Sequence, residues 1–301
     1  MSILSLQAVR KEYRNVVAVD DVSFEVPEGS LFGLLGPNGA GKTSLIRIIT
    51  TITMADSGQV LFNGELLNRK HIELIGYLPE ERGLYRKMKV GEHLLYLAQL
   101  KGLSFADAKS RIKTLMERFE IVDWWNKKIE ELSKGMQQKI QFIATIVHGP
   151  KLIILDEPFS GLDPINTNLM KDVIFELNNN GTSVIFSTHR MEQVEEICEH
   201  IILINNGKNV LEGTVSDIKD KYKEGIFRIE FEGALPEDLN NHFAVVSDTD
   251  HEVLIKAEAG MSPNDLLRVL LDRGFLIHGF QEVRPSLNEV FIRTVNSLGH
   301  E

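Results

Sequence analysis

The chain has one cysteine in 301 residues, Cys198. No intrachain disulfide can form, which fits a reducing compartment. Cys198 falls in a helical pattern and reads as a core thiol; a nucleophile is the alternative. Long apolar runs are missing as well. The longest stretches free of charge are about 13 residues, Gly29–Gly41 among them, where a membrane span needs roughly 18 or more. That stretch also carries Pro37 and Asn38. The N-terminal MSILSLQAVRKEY has no basic lead-in and no cleavage pattern. Together these absences predict a cytoplasmic protein. Positive charge is in short supply: 33 Lys and Arg stand against 43 Asp and Glu, a formal charge of −10. That balance speaks against wrapping duplex nucleic acid, which wants a basic face, so no nucleic-acid partner is expected.

What is there is an ordinary folded chain, 43% hydrophobic and 25% charged, long enough for two domains. Ile3–Val9 and Val17–Val26 read as strands. Leu31–Leu35 is a short apolar run, followed at once by GPNGAGKT and a helical pattern at Leu45, Ile48 and Ile49. Ser57–Gly64 reads as a strand entering an Asn63-Gly64 turn, and Ile75–Leu78 as another strand. From Val90 to Glu131 the spacing is helical, which predicts a helical subdomain, about 88–150, inserted in an α/β sheet. Strands at Leu152–Leu155, Ser183–Ser187 and Ile201–Ile204 then alternate with helices at Ile165–Asn178 and Met191–His200. That order favours a parallel sheet with helices on both faces. The charged segment Asp217–Gly225 marks a boundary, giving a first domain over 1–220 and a second over 225–301. In the second, Phe227, Ile229 and Phe231 alternate with charge, as in a half-buried strand. Asp248-Thr249-Asp250 reads as a hairpin turn. Ser262-Pro263 opens a helix that Gly274 stops, and Ser286–Glu289 fits a capping box. The second domain is therefore a small α+β unit.

Gly36-Pro37-Asn38-Gly39-Ala40-Gly41-Lys42-Thr43 fits G-x-x-x-x-G-K-[ST], the phosphate-binding loop. The glycines let backbone N–H groups wrap the β-phosphate, and the following helix adds its positive end. Lys42 places a compact charge between the β- and γ-phosphates, and Thr43 offers a hydroxyl to Mg²⁺. Ser44 belongs to the same turn. The apolar strand Leu152–Leu155 ends in Asp156 and Glu157. A buried strand ending in two acids has a use for them: Asp156 to hold Mg²⁺, Glu157 to polarise an attacking water as general base. Leu132-Ser133-Lys134-Gly135-Met136-Gln137-Gln138 opens a further helix. Ser133 reads as its N-cap, and the start of that helix also offers a second anion-binding surface.

The order of phosphate loop, LSKGMQQK, Asp-Glu strand end, Ser160-Gly161-Leu162-Asp163 and His189 resembles the ATP-binding cassette (ABC) family over residues 1 to about 220. The resemblance implies a P-loop α/β core of ABC type. It implies a cassette that pairs head-to-tail with a second, a copy of itself or a related chain, sandwiching ATP between the phosphate loop of one and the signature segment of the other. Ser133, Gly135 and Gln137 would then meet the partner's nucleotide, Asp163 would lie at the seam, and His189 would hold the γ-phosphate. Lys42, Glu157 and His189 form the catalytic set. Tyr13 occupies the place of the adenine-stacking aromatic; a core tyrosine is the alternative. Two departures stand out. The signature carries Lys134 and Met136 where Gly and Gln are usual, and Glu80 stands after Pro79 where Gln is usual. A carboxylate at Glu80 can still ligate Mg²⁺, and its charge would either slow hydrolysis or shift its dependence on Mg²⁺. With no span of its own, the chain would act peripherally, on the inner face of the cell membrane. It would serve separate membrane-spanning permease subunits, docked near Glu80–Val90. The tail resembles the accessory domain of the sodium- and drug-exporter-like branch, so export is expected. Regulation, dimerisation, ligand sensing and a structural cap all stay open for it. A soluble ABC ATPase acting on ribosomes or DNA is the alternative function; the acidic balance and the short helical insert count against it.

Overall fold

Only Arg14 and Asn15 separate the strands Ser2–Tyr13 (β1) and Val16–Pro27 (β2), so the two run antiparallel. The apolar run Leu31–Leu35 (β3) follows, buried along its whole length, and leads through the glycine-rich loop into helix Lys42–Ile49 (α1). Ser57–Phe62 (β4) returns to pair with β1, then turns through Asn63 and Gly64, both with positive φ (51° and 79°), into Glu65–Leu66 (β5). That is the geometry of a two-residue type I′ hairpin. The order β2-β1-β4-β5 is a separate antiparallel sheet. The alternation of the sequence suggested one parallel sheet; connections this short cannot make the crossover a parallel pair needs.

The expected parallel sheet is formed by β3 with Ile75–Leu78 (β6), Leu152–Asp156 (β7), Ser183–Thr188 (β8) and His200–Asn205 (β9). A last strand, Lys208–Thr214 (β10), adds antiparallel to β9, giving the order β10-β9-β3-β8-β7-β6. This strand was not legible from its polar pattern. Between β6 and β7 lie helices Val90–Leu100 (α2), Phe105–Arg118 (α3) and Lys134–Ile146 (α4). Gly91 lets the Trp125 ring lie against α2, since a Cβ there would sit 2.3 Å from it. Phe119 and Phe142 meet edge to face at 5.9 Å and tie α3 to α4. Helices Pro164–Asn179 (α5) and Met191–Ile197 (α6) complete the α/β alternation. The second is shorter than its sequence pattern: Cys198 is already extended and His200 opens β9. Cys198 is buried, and burial pushes its thiol pKa up, so it is an inert core group.

The computed structural model describes residues 1–81, 83–232, 243–249, 251–257 and 261–298. Two units follow from its contacts, Met1–Val215 and Ser216–Glu301, with helix Val215–Lys221 (α7) beginning at their junction. The second unit holds Ile226–Glu232 (β11), Ala244–Asp248 (β12), Glu252–Lys256 (β13), helix Pro263–Asp272 (α8), Leu276–Glu282 (β14) and helix Leu287–Leu298 (α9). Its strands form an antiparallel sheet, β12-β13-β11-β14. Phe227, Ile229 and Phe231 are buried against Val253, Ile255, Leu266 and Leu270, as the alternation required. The Ser286 hydroxyl accepts from the Glu289 amide, as the capping box required, and Ser262 makes a second such box by accepting from the Asp265 amide. The β12–β13 hairpin is formed; Asp250, in its turn, lies outside the described residues.

Two histidines of the first unit, His93 and His148, are buried. Burial drives both pKa values down to about 4. Between pH 6.5 and 4 the unfolded chain therefore takes up protons that the folded chain does not, and stability falls as pH falls. Asp156, raised to about 6, acts in the opposite sense below pH 6; two histidines outweigh one carboxylate. The unfolding midpoint of the first unit is expected to drop from pH 6.5 to pH 4.5. Replacing both histidines with glutamine flattens that dependence.

Candidate active site

Two glycines of the phosphate loop, Gly36 and Gly41, could not be replaced without a clash. Gly36 has φ 148°, and a Cβ there would lie 2.2 Å from the Ile204 carbonyl; Gly41 has φ 112°, with the Ala18 carbonyl 2.3 Å from its Cβ position. The loop therefore packs directly on β9 and β2. Helix α1 begins at Lys42 with no side-chain cap and no acid in its first turn, which leaves its N–H groups aimed at an incoming anion. The Lys42 ammonium folds back over the loop and donates to the carbonyls of Gly36 (2.6 Å) and Pro37 (3.0 Å). Burial lowers its pKa, opposed by the charges of Asp156, Glu157 and Glu80.

A cavity of about 320 Å³ opens over this loop. Ala18, Asn38 to Ser44, Glu80, Asp156 and Glu157 line it, so ten of the residues singled out from the sequence converge there. Asp156 ends β7 and is buried; its Oδ1 accepts from the Ser187 hydroxyl at 2.8 Å. Burial raises its pKa to about 6. The Ser187 bond and Lys42 pull back against this, while Glu80 and Glu157 push the same way. Such a carboxylate, lining the same cavity as Thr43, suits a hard divalent cation. No group of three or more His, Cys, Asp or Glu closes around a metal among the described residues. A magnesium ion here would complete its shell with phosphate oxygens and water.

Glu157 follows the strand with φ 49°. Its Oε1 accepts from the His189 amide at 2.9 Å and meets His189 Nδ1 at 2.6 Å. Its Oε2 accepts from the Thr188 hydroxyl at 3.0 Å. The sequence placed Glu157 and His189 at one phosphate but did not reveal this direct bond. The parallel register, Asp156 opposite Ser187, is what brings them together. The contributions of Ser187, Thr188 and Ala18 were also missed. Polar residues at the end of the buried strand β8 were the signal for the first two.

The remaining predicted residues stand outside this cavity. Tyr13 lies at the end of β1, 39% exposed, with the Lys11 ammonium 5.4 Å from its ring centre. It is a surface aromatic, not a core tyrosine. Ser133 is exposed and caps α4 through the Met136 amide at 3.3 Å. Gln137 donates to the Leu132 carbonyl at 2.9 Å. Asp163 caps α5 through the Asn166 amide at 2.9 Å. A Cβ on Gly135 would lie 3.3 Å from the Gly161 carbonyl, so the signature segment and the Ser160–Asp163 turn are neighbours. Neither segment lines the cavity over the phosphate loop.

A strand, a glycine turn and a bare helix end, with carboxylates at the end of β7 one strand further along the same sheet, define a phosphate-loop nucleotide hydrolase. Comparison with known proteins sharpens this. The ABC transporter family matches residues 19–160, and the C-terminal domain of DrrA1-3-like ATP-binding proteins matches residues 213–295. The chain is 42% identical to the ABC transporter ATP-binding protein YhaQ of Bacillus subtilis, over 98% of its own length and 99% of the relative's. It is 32% identical to Nod factor export ATP-binding protein I of Cupriavidus pinatubonensis, over 73% of this chain and 68% of that one. A solved ATP-binding subunit of an ABC transporter superposes with a TM-score of 0.69 at 29% identity, covering 73% of this chain and 93% of that one. The chain belongs to the ATP-binding proteins of ABC transporters, and it binds and hydrolyses ATP. No helix among the described residues is long and apolar enough to cross a membrane.

Proposed function

We propose that this chain powers export through separate membrane-spanning subunits, working peripherally on the inner face of the cell membrane. Two cassettes, copies or related chains, close head-to-tail on ATP, and cleavage of the γ-phosphate releases them. The observation that carries this reading is the single cavity that gathers the phosphate loop, Asp156 and Glu157. Lys42 and the loop amides hold the triphosphate, Tyr13 stacks on the base, and Glu157 takes the proton of the attacking water. His189 keeps Nδ1 on Glu157, which leaves Nε2 for the γ-phosphate. Ser133, Gly135 and Gln137 reach the nucleotide of the opposite cassette, with Asp163 at the seam. Thr43, Asp156 and Glu80 hold magnesium, which supplies positive charge against the developing charge on the phosphates.

The likeness to a Nod factor export protein supports the direction. Docking of the membrane subunits near Glu80–Val90 is supported by a mainly apolar cavity of about 270 Å³ there, between Tyr77, Pro79, Leu84, Leu97 and Leu100. Tyr85 and Tyr96 stand exposed beside it, their rings edge to face. Purification of the tagged chain from gently solubilised cells is expected to bring down a multi-span membrane protein. Salt-sensitive recovery of ribosomes or DNA instead would replace this reading.

A further inference from the structure

Three carboxylates, Glu80, Asp156 and Glu157, share the wall of the phosphate cavity with one ammonium, Lys42. The cavity is therefore net negative before any phosphate enters. Its natural occupant is itself a polyanion. Glu80 is the exposed member of the three. It is also well anchored through its neighbours. The carbonyl of Pro79 accepts from Gln141 Nε2 at 3.1 Å, and that of Tyr77 from the Thr145 hydroxyl at 3.3 Å. Both donors lie on α4. The strand end that carries Glu80 is tied to a helix and is not an isolated loop tip.

We infer that Glu80 selects the form of nucleotide that the site accepts: ATP carrying a divalent cation binds, and metal-free ATP is turned away. The inference rests on the phosphate-site reading above. A carboxylate a few ångströms from incoming phosphate oxygens repels them through a partly solvated medium. At an effective dielectric between those of water and of a protein surface, this is worth about tenfold in affinity. A divalent cation reverses the sign, because the same carboxylate then faces a positive neighbour. A neutral side chain at this position would keep a ligand oxygen and lose the discrimination. Glu80 is thus a specificity residue for the state of the substrate, and occupancy of the site follows free Mg²⁺ more steeply than the phosphate loop alone would require.

The test is equilibrium binding of a non-hydrolysable ATP analogue to the full chain, once with Mg²⁺ and once with EDTA. Glu80→Gln is expected to bind the metal-free analogue about tenfold more tightly than the native chain, and the magnesium-loaded analogue more weakly. Glu80→Asp, which keeps the charge, retains the native ratio. A gain in binding cannot come from misfolding. High salt narrows the difference, as expected of a partly exposed charge. Equal metal-free affinity in native and Glu80→Gln proteins overturns the inference, as does an equal gain with and without Mg²⁺. Failure of the native chain to bind the magnesium-loaded analogue at all brings down the site assignment, and this inference with it.

Discussion

Glu157→Gln lowers ATP turnover by about 10²–10⁴-fold, the usual weight of a positioned general base, and leaves nucleotide binding in place. The substitution is nearly isosteric. An amide oxygen at the Oε1 position still accepts from the His189 backbone, and the Thr188 hydroxyl can accept where it now donates. The turn after β7 is therefore kept while the proton acceptor is lost. Uncleaved ATP then persists between two cassettes, and the population shifts to the closed pair. Light scattering should show a dimer of the variant with Mg·ATP and a monomer with ADP. A variant that turns over at the native rate and stays monomeric with ATP refutes the assignment of Glu157 as base. His189→Ala gives a second view. It removes the 2.6 Å contact to the Glu157 carboxylate and leaves the 2.9 Å amide bond, so hydrolysis should fall while ATP affinity drops only modestly.

Much of this site was legible because its residues are contiguous. The loop Gly36–Thr43 and the pair Asp156–Glu157 each declare their chemistry over a few positions, and the structure places both on one cavity. What stayed hidden depends on register between distant strands. Asp156 lies opposite Ser187, and nothing local in either segment announces the ladder that brings Glu157 to Thr188 and His189. The same holds for the fold. Alternating apolar runs gave the strands and helices of the core and the half-buried β11. They did not separate β1, β2, β4 and β5 into a sheet of their own, which is a matter of connection length. Strand β10 was missed because its residues are exposed or half-buried, without a clean alternation. The end of α6 was overrun because Cys198 and His200 continue a pattern that the backbone abandons. Tyr13 was left open between an adenine-stacking aromatic and a core tyrosine, and only its place at the exposed end of β1 removes the core reading.

Lys42→Ala is expected to weaken ATP binding by at least about 30-fold, the lower end of what truncating one partner of a close charge pair costs. The reasoning starts from how the ammonium is held. It is buried, its pKa is pulled down by that burial, and its bonds to Gly36 and Pro37 pin the crest of the loop. Removal could therefore act in two ways: by deleting the charged head, which both meets the β- and γ-phosphates and pins the loop, or by emptying the space that the apolar stem fills. Lys42→Met separates them. It keeps the apolar stem that fills the space beneath the loop and removes only the charged head. If charge is what matters, Met and Ala lose the same affinity, measured by nucleotide titration with Mg²⁺. If loop packing dominates, Met recovers most of it. Lys42→Arg is not a rescue. A planar fork is larger than the ammonium that fits within 2.6 and 3.0 Å of two carbonyls, so it should bind weakly as well. Native affinity in Lys42→Ala would mean that the glycine turn does not cradle a triphosphate at all, and the Glu157 result would then need another site to explain it.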